Sequence, residues 1–255
     1  DLFPNVATGV ATLTSAGSIN DGGGAGDTLT AAGLIATAVT GVGTAANPLT
    51  TTIPNLEATT ATGGIFLTNT GPLTIGGLSG MVGVTVTVAG GITLTTIGGG
   101  GITAAENVTA PGNIVLSATE VANAPACPDD VIVNAGVTVQ STGGSITFNA
   151  GDDIFIAATG AVVAAGNVTL NSGVGDLDGC ADITINGTVT AGGTITITSG
   201  GDLCFGLLTA TGGVNLTAGG SILDCNGPAL NIAAGGVSTL RAIRGTIARP
   251  NDPIE

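Results

Sequence analysis

The chain has no Lys, His, Trp or Tyr, and its only bases are Arg241, Arg244 and Arg249. Against these stand 17 acids, giving a formal charge of −14. Such a surface repels nucleic-acid phosphates and anionic lipid headgroups, so neither is expected as a partner. Aromatic residues are reduced to five Phe, which leaves few platforms for stacking a sugar ring. No apolar run approaches the ~18 residues of a bilayer span, so membrane insertion is not expected either. The opening Asp1-Leu2-Phe3-Pro4 has no basic n-region or apolar h-region, and any export signal is expected to lie outside this sequence.

What is present is aliphatic and turn-forming. Hydrophobic residues make up 43% of the 255 residues, mean hydropathy is +0.59, and 46 residues are Gly. A disordered chain could not carry that much Val, Ile and Leu without collapsing, so the Gly is read as corner material around a core.

A repeat organises these residues. Gly-Gly or Gly-Asn followed by a short alternating strand recurs at Gly63, Gly90, Gly112, Gly143, Gly166, Gly192, Gly212 and Gly235, with spacings of 20 to 31 residues. Units of that length without a helix suit coils of a β-solenoid. Three short strands are read in each. The unit from Gly143 has Ser145–Asn149, Asp153–Ala157 and Ala161–Ala165. Alternation places Ile92, Ile114, Ile146, Val168, Ile195 and Val214 inward, with Leu94, Leu116, Phe148, Leu170, Ile197 and Leu216 two residues on. Between them Thr93, Val115, Thr147, Thr169, Thr196 and Asn215 face out. An antiparallel barrel would also alternate, but it would not repeat a three-strand phrase. The expected fold is all-β, a right-handed parallel β-helix of roughly ten coils forming one segment over 1–255. Residues 63–255 read as clear coils; 1–62 are less regular, with Gly41–Pro54 a longer loop.

The phrases Leu13-Thr14-Ser15-Ala16-Gly17-Ser18-Ile19-Asn20-Asp21, Asn47-Pro48-Leu49-Thr50-Thr51 and Gly63-Gly64-Ile65-Phe66-Leu67-Thr68-Asn69-Thr70-Gly71 resemble repeats of filamentous-haemagglutinin-type exoproteins. The resemblance covers nearly the whole chain through motifs of low complexity. It implies a right-handed β-helical shaft of a giant secreted bacterial surface protein, an adhesin or fibre. The N-terminal secretion module typical of that family is not evident.

Local chemistry concentrates in cysteines and acids. Cys127, Cys180, Cys204 and Cys225 fall 12 to 15 residues after the first Gly of their units, which predicts one shared edge. An even count in a chain of secreted character favours disulfides. The expected pairs are Cys204–Cys225 in adjacent coils and Cys127–Cys180 through two long segments. Cys180–Cys204, with the other two free, is the rival pairing, and a ladder of buried free thiols is the plainer alternative. Zinc is disfavoured without His or Cys-x-x-Cys.

Asp152, Asp153, Asp176, Asp178, Asp202 and Asp224 fall near the same edge, with Asp129, Asp130 and Asp182 just beyond. Stacked carboxylates repel, and Ca²⁺ would relieve them. Asp176, Asp178 and Asp182 form the best candidate cluster, although Asp is also an ordinary corner residue. No cofactor is required. Asp152/Asp153 and Asp176/Asp178 are conceivable glycosidase pairs, but nothing near them would raise one pKa, and no enzyme is expected. The outward Thr ladder is too interrupted by Val115 and Asn215 to suggest ice binding. Asn107, Asn167, Asn186 and Asn215 head Asn-x-Thr sequons, which arise by chance in Thr-rich sequence. Neither end carries an amphipathic capping helix, and the bases lie near one end. The expected function is therefore an extracellular shaft or fibre subunit stacking head to tail on copies of itself or flanking repeats. The alternatives are an adhesin binding glycan on a lateral face and, remotely, a polysaccharide-cleaving enzyme.

Overall fold

The computed structural model describes residues 6–22, 27–121, 127–177, 179–248 and 253–255. They form a parallel β-solenoid of about 10 turns, and no helix occurs among the described residues. Each regular coil lays down three strands, one on each of three faces, and every strand pairs in parallel with its equivalents in neighbouring coils.

The first face carries the strands that follow the Gly pairs. Ile65–Thr70, Ile92–Ile97, Ile114–Ala118, Ile146–Ala150, Val168–Asn171, Ile195–Ser199, Val214–Ala218 and Thr239–Ala242 stack here in order. The second face carries Leu73–Ile75, Ile102–Ala104, Val131–Val133, Ile154–Ile156 and the starts of Ile183–Ala191 and Leu203–Ala210. Ile222–Asp224 completes it. The third face includes Val84–Val86, Val108–Ala110, Thr138–Ser141 and Ala161–Ala164.

Strict register turns the alternation into ladders. Ile65, Ile92, Ile114, Ile146, Val168, Ile195 and Val214 are direct partners up the first face, and all are fully buried. Leu73, Ile102, Val131, Ile154, Ile183, Leu203 and Ile222 do the same on the second. A one-residue slip would turn a whole ladder outward, so burial itself specifies the register. Burying each Val, Leu or Ile contributes about 1.5–3 kcal/mol. The expected outward positions, Thr93 to Asn215, are half-buried against their ladder neighbours.

The stretch expected as a loop, Gly41–Pro54, instead supplies first-face strands. Gly41–Val42 and Leu49–Thr52 sit under the two ends of Ile65–Thr70, and only 43–48 leaves the face. A buried amide makes this work. Asn69 accepts from the Thr51 hydroxyl at 2.8 Å and the Ile53 N–H at 2.9 Å, and donates to the Ile53 carbonyl at 3.0 Å. Leu34, Ala36, Leu56 and Ala58 bring the early strands Leu29–Ala38 and Asn55–Thr60 into the same core.

Close stacking of corners explains some of the Gly. Gly63 has φ +80°, and a Cβ there would overlap the Thr40 carbonyl oxygen.

Candidate functional site

Corners are where a coil's N–H groups risk going unpaired, and this chain meets the problem with short polar side chains. From the coil of Val131–Val133 onward, the residue just before the second-face strand is Asp130, Asp153, Asp182, Asp202 and Ser221 in successive coils. Asp130 accepts from the Asp153 N–H at 3.0 Å, and Asp153 from that of Asp182 at 2.7 Å. Asp182 accepts from the Asp202 N–H at 2.7 Å, and Asp202 from that of Ser221 at 2.6 Å. The acids therefore do not merely crowd one edge; each carboxylate binds the backbone of the next coil. A parallel series runs before the first-face strands. Asn113 accepts from the Ser145 N–H (2.9 Å), Ser145 from Asn167 (3.0 Å), and Asn167 from Thr194 (2.9 Å).

A second acid group lies one step inward. Glu120, Asp129 and Asp152 each place a carboxylate oxygen within 4.8 Å of the others, and Asp129 and Asp152 are buried. Asp129 accepts from the Gly100 N–H at 2.6 Å and the Val121 N–H at 2.9 Å, while Asp152 accepts from the Asp129 N–H at 2.8 Å. This oxygen-only set has the chemistry that Ca²⁺ takes. The neighbouring Asp130 feels the same surroundings. Burial first, then the charges of Asp153, Asp152 and Asp129, push its carboxyl up to about 6 despite the Asp153 N–H.

The sequence-derived calcium candidates are placed differently. Asp176 is exposed and accepts from the Gly179 N–H at 2.6 Å. Asp182 is a rung of the corner ladder. Asp178 lies outside the described residues. Asp224 is not at the entry corner either: it stands at the exit of the second face, where it accepts from the Asn226 N–H and the Asn231 amide.

Both expected disulfides are present. Cys127–Cys180 joins two loops that enter the second face, with Cα atoms 5.9 Å apart, and spans the intervening coil that carries Asp152 and Asp153. Cys204–Cys225 links adjacent coils with Cα atoms 5.5 Å apart. The single shared edge needs refinement. Cys204 lies within a second-face strand and Cys225 just past one, whereas Cys127 and Cys180 precede that face.

Two acids escaped the sequence reading. Glu57 is fully buried; its carboxylate accepts from the Leu78 and Ser79 N–H groups at 2.7 and 2.8 Å and from the Ser79 hydroxyl. Burial pushes its pKa up, but the bonds from Ser79 and Leu78 outweigh this and leave it below the usual value. Glu106 accepts from the Gly77 and Gly83 N–H groups at 3.1 and 2.7 Å. Together they hold the 76–83 loop against the solenoid. Their only signal was a charge in an otherwise apolar or Thr-rich strand phrase.

The lateral surface is not uniform. The segment 173–177 rises beside the first face and walls a groove of about 580 Å³ lined by Ser117, Thr119, Glu120, Asn149, Val174 and Leu177. Asn149 in this lining accepts from Asn171 at 2.9 Å and donates to the Ser117 hydroxyl at 3.2 Å. Val174 and Leu177 are exposed on its wall.

Compared with protein-family models, curated proteins and solved structures, the chain matches none, so fold and local geometry alone carry its functional reading.

Proposed function

We propose that this chain is a structural shaft, an extracellular rod segment that extends by end-to-end stacking on further coils of the same kind. The observation that carries the reading is the continuity of the ladders into the outermost coils. Ala11, Leu13 and Ile19 at one end, and Ile232, Ala234, Leu240 and Ala242 at the other, pack on the core but stay only partly buried. Another coil laid over either end would bury them further, and at the latter end it would pair the edge of Thr239–Ala242. Beside that edge Ile222 already bridges Ile247, and the Ile232 N–H already meets the Glu255 carbonyl. Charge favours the head-to-tail sense. Arg241 and Arg244 are exposed near one end, and Asp21 and Asp27 lie in the coil at the other. The two disulfides suit an oxidising compartment outside the cytosol. The shaft needs no cofactor and performs no reaction; a Ca²⁺ ion held among Glu120, Asp129 and Asp152 would serve as one more staple.

A second reading, an adhesin with a lateral binding face, draws on the groove between Asn149 and Leu177, which offers amide and hydroxyl groups opposite an apolar wall. A glycan is the ligand that suits such a surface.

Sedimentation velocity over a wide concentration range tests the shaft. Stacking predicts species in whole-number multiples of the 24.0 kDa chain, lost when Leu240→Arg places a charge on the end ladder. A monomer at every concentration would contradict it.

A further inference from the structure

Four Asn-x-Thr sequons occur in the chain, and the structure sorts them. Asn107 accepts from the Thr138 N–H at 2.8 Å, and Asn167 from that of Thr194 at 2.9 Å. Asn215 accepts from the Thr239 hydroxyl at 2.8 Å. Each of these side chains is laid along the shaft as a tie to the next coil.

Asn186 differs in its surroundings. It is exposed, as Asn167 is, but its amide makes no hydrogen bond to a described residue. It sits at the corner between the second and third faces, where the ladder register breaks between Ile185 and Thr188. The residue stacked over that corner is Gly206, because Ile185 pairs with Phe205 and Thr188 with Leu207. No side chain from the next coil therefore shadows Asn186. The middle residue of the sequon, Gly187, is held against the Gly160 carbonyl, so the corner shape is set by backbone alone.

We infer that Asn186 is an acceptor for N-linked glycan, the one sequon of the four whose side chain is not tied to the next coil. The substrate class is a lipid-linked oligosaccharide diphosphate. The Asn186 amide nitrogen bonds to the anomeric carbon, the bond from that carbon to the diphosphate oxygen breaks, the lipid diphosphate leaves, and the amide loses one proton. A glycan here projects from a corner without cutting a ladder and adds neutral bulk to a flank of the rod. The inference is independent of end-to-end stacking.

The test incubates the folded, disulfide-bonded protein with an oligosaccharyltransferase that accepts Asn-x-Ser/Thr and its lipid-linked donor. Cleavage before Asp separates all four sequons, and the fragment 182–201 carries Asn186 alone. The expected result is one glycan mass on that fragment. It disappears in Asn186→Gln and in Thr188→Ala and persists in Asn215→Gln, with β-sheet circular dichroism retained in all three. The readout is the intact glycopeptide, because an exposed Asn-Gly step also deamidates and would mimic enzymatic release. An unmodified 182–201 fragment, or glycan on Asn107, Asn167 or Asn215 of the folded protein, overturns the inference.

Discussion

At the scale of single residues, this chain uses side-chain oxygen to finish backbone pairing that a sharp corner leaves open. The Asp130–Asp153–Asp182–Asp202 series is an intercoil hydrogen-bond ladder built from carboxylates. Its cost shows at Asp130, whose carboxyl is pushed up to about 6 by burial and by neighbouring acids. A raised folded-state pKa means that the fold takes up the proton more readily than the open chain. The stability this group contributes is complete below its ordinary value of 3.8 and is lost as pH rises through about 6. Asp130→Asn, which keeps an oxygen for the Asp153 N–H, should flatten the fall in melting temperature between pH 4 and pH 7. A variant whose pH profile overlays that of the parent would show that Asp130 titrates normally. Asn69 is the matching case inside the rod. Asn69→Ala strands the buried Ile53 N–H and carbonyl, at a cost of about 1–3 kcal/mol for each unsatisfied group, measurable by denaturant unfolding.

At the scale of strands and coils, each inward position answers to its vertical neighbours. Phe148 lies between Leu116 and Leu170 and is fully buried. Phe148→Ala should cost about 3–5 kcal/mol, and because coils contact mainly their neighbours the loss should be local. Hydrogen exchange should quicken in the strands around 114–118 and 168–171 while distant coils keep their protection; uniform acceleration would contradict coil-by-coil stability. Thr147→Ala, one residue away on the outward side, should change stability by no more than about 0.5 kcal/mol. The Cys204–Cys225 staple has a sequence separation of 21. Its removal by paired Ser substitution should cost about 2–4 kcal/mol, with exchange rising first in 203–224.

These ladders were readable in sequence because their code is local: a Gly pair, then apolar residues at a period of two. The cysteine pairs were readable because solenoid stacking turns offsets along the chain into distances. The corner ladder was not, since an Asp that caps the next coil and an Asp that merely turns the chain look alike until the coils are stacked. Residues 41–54 misled for a related reason. Their strands are split by 43–48, and their support comes from Asn69, in the next coil.

At the scale of the whole molecule, length comes from repetition and solubility from charge. A net charge of −14 opposes sideways association of the Thr-rich, Ala-rich lateral surface, and the ladders at the ends stay only half-buried. About 10 turns at a rise of ~4.8 Å give a rod on the order of 48 Å per chain. The most direct test of the shaft is X-ray diffraction from an aligned, concentrated sample of the disulfide-intact protein, with electron microscopy of the same material. A stacked shaft gives a ~4.8 Å reflection along the rod axis, with strands perpendicular to that axis, and thin rods whose lengths are multiples of one chain. A ~4.8 Å reflection at right angles to the axis, or compact particles that never lengthen, would contradict it.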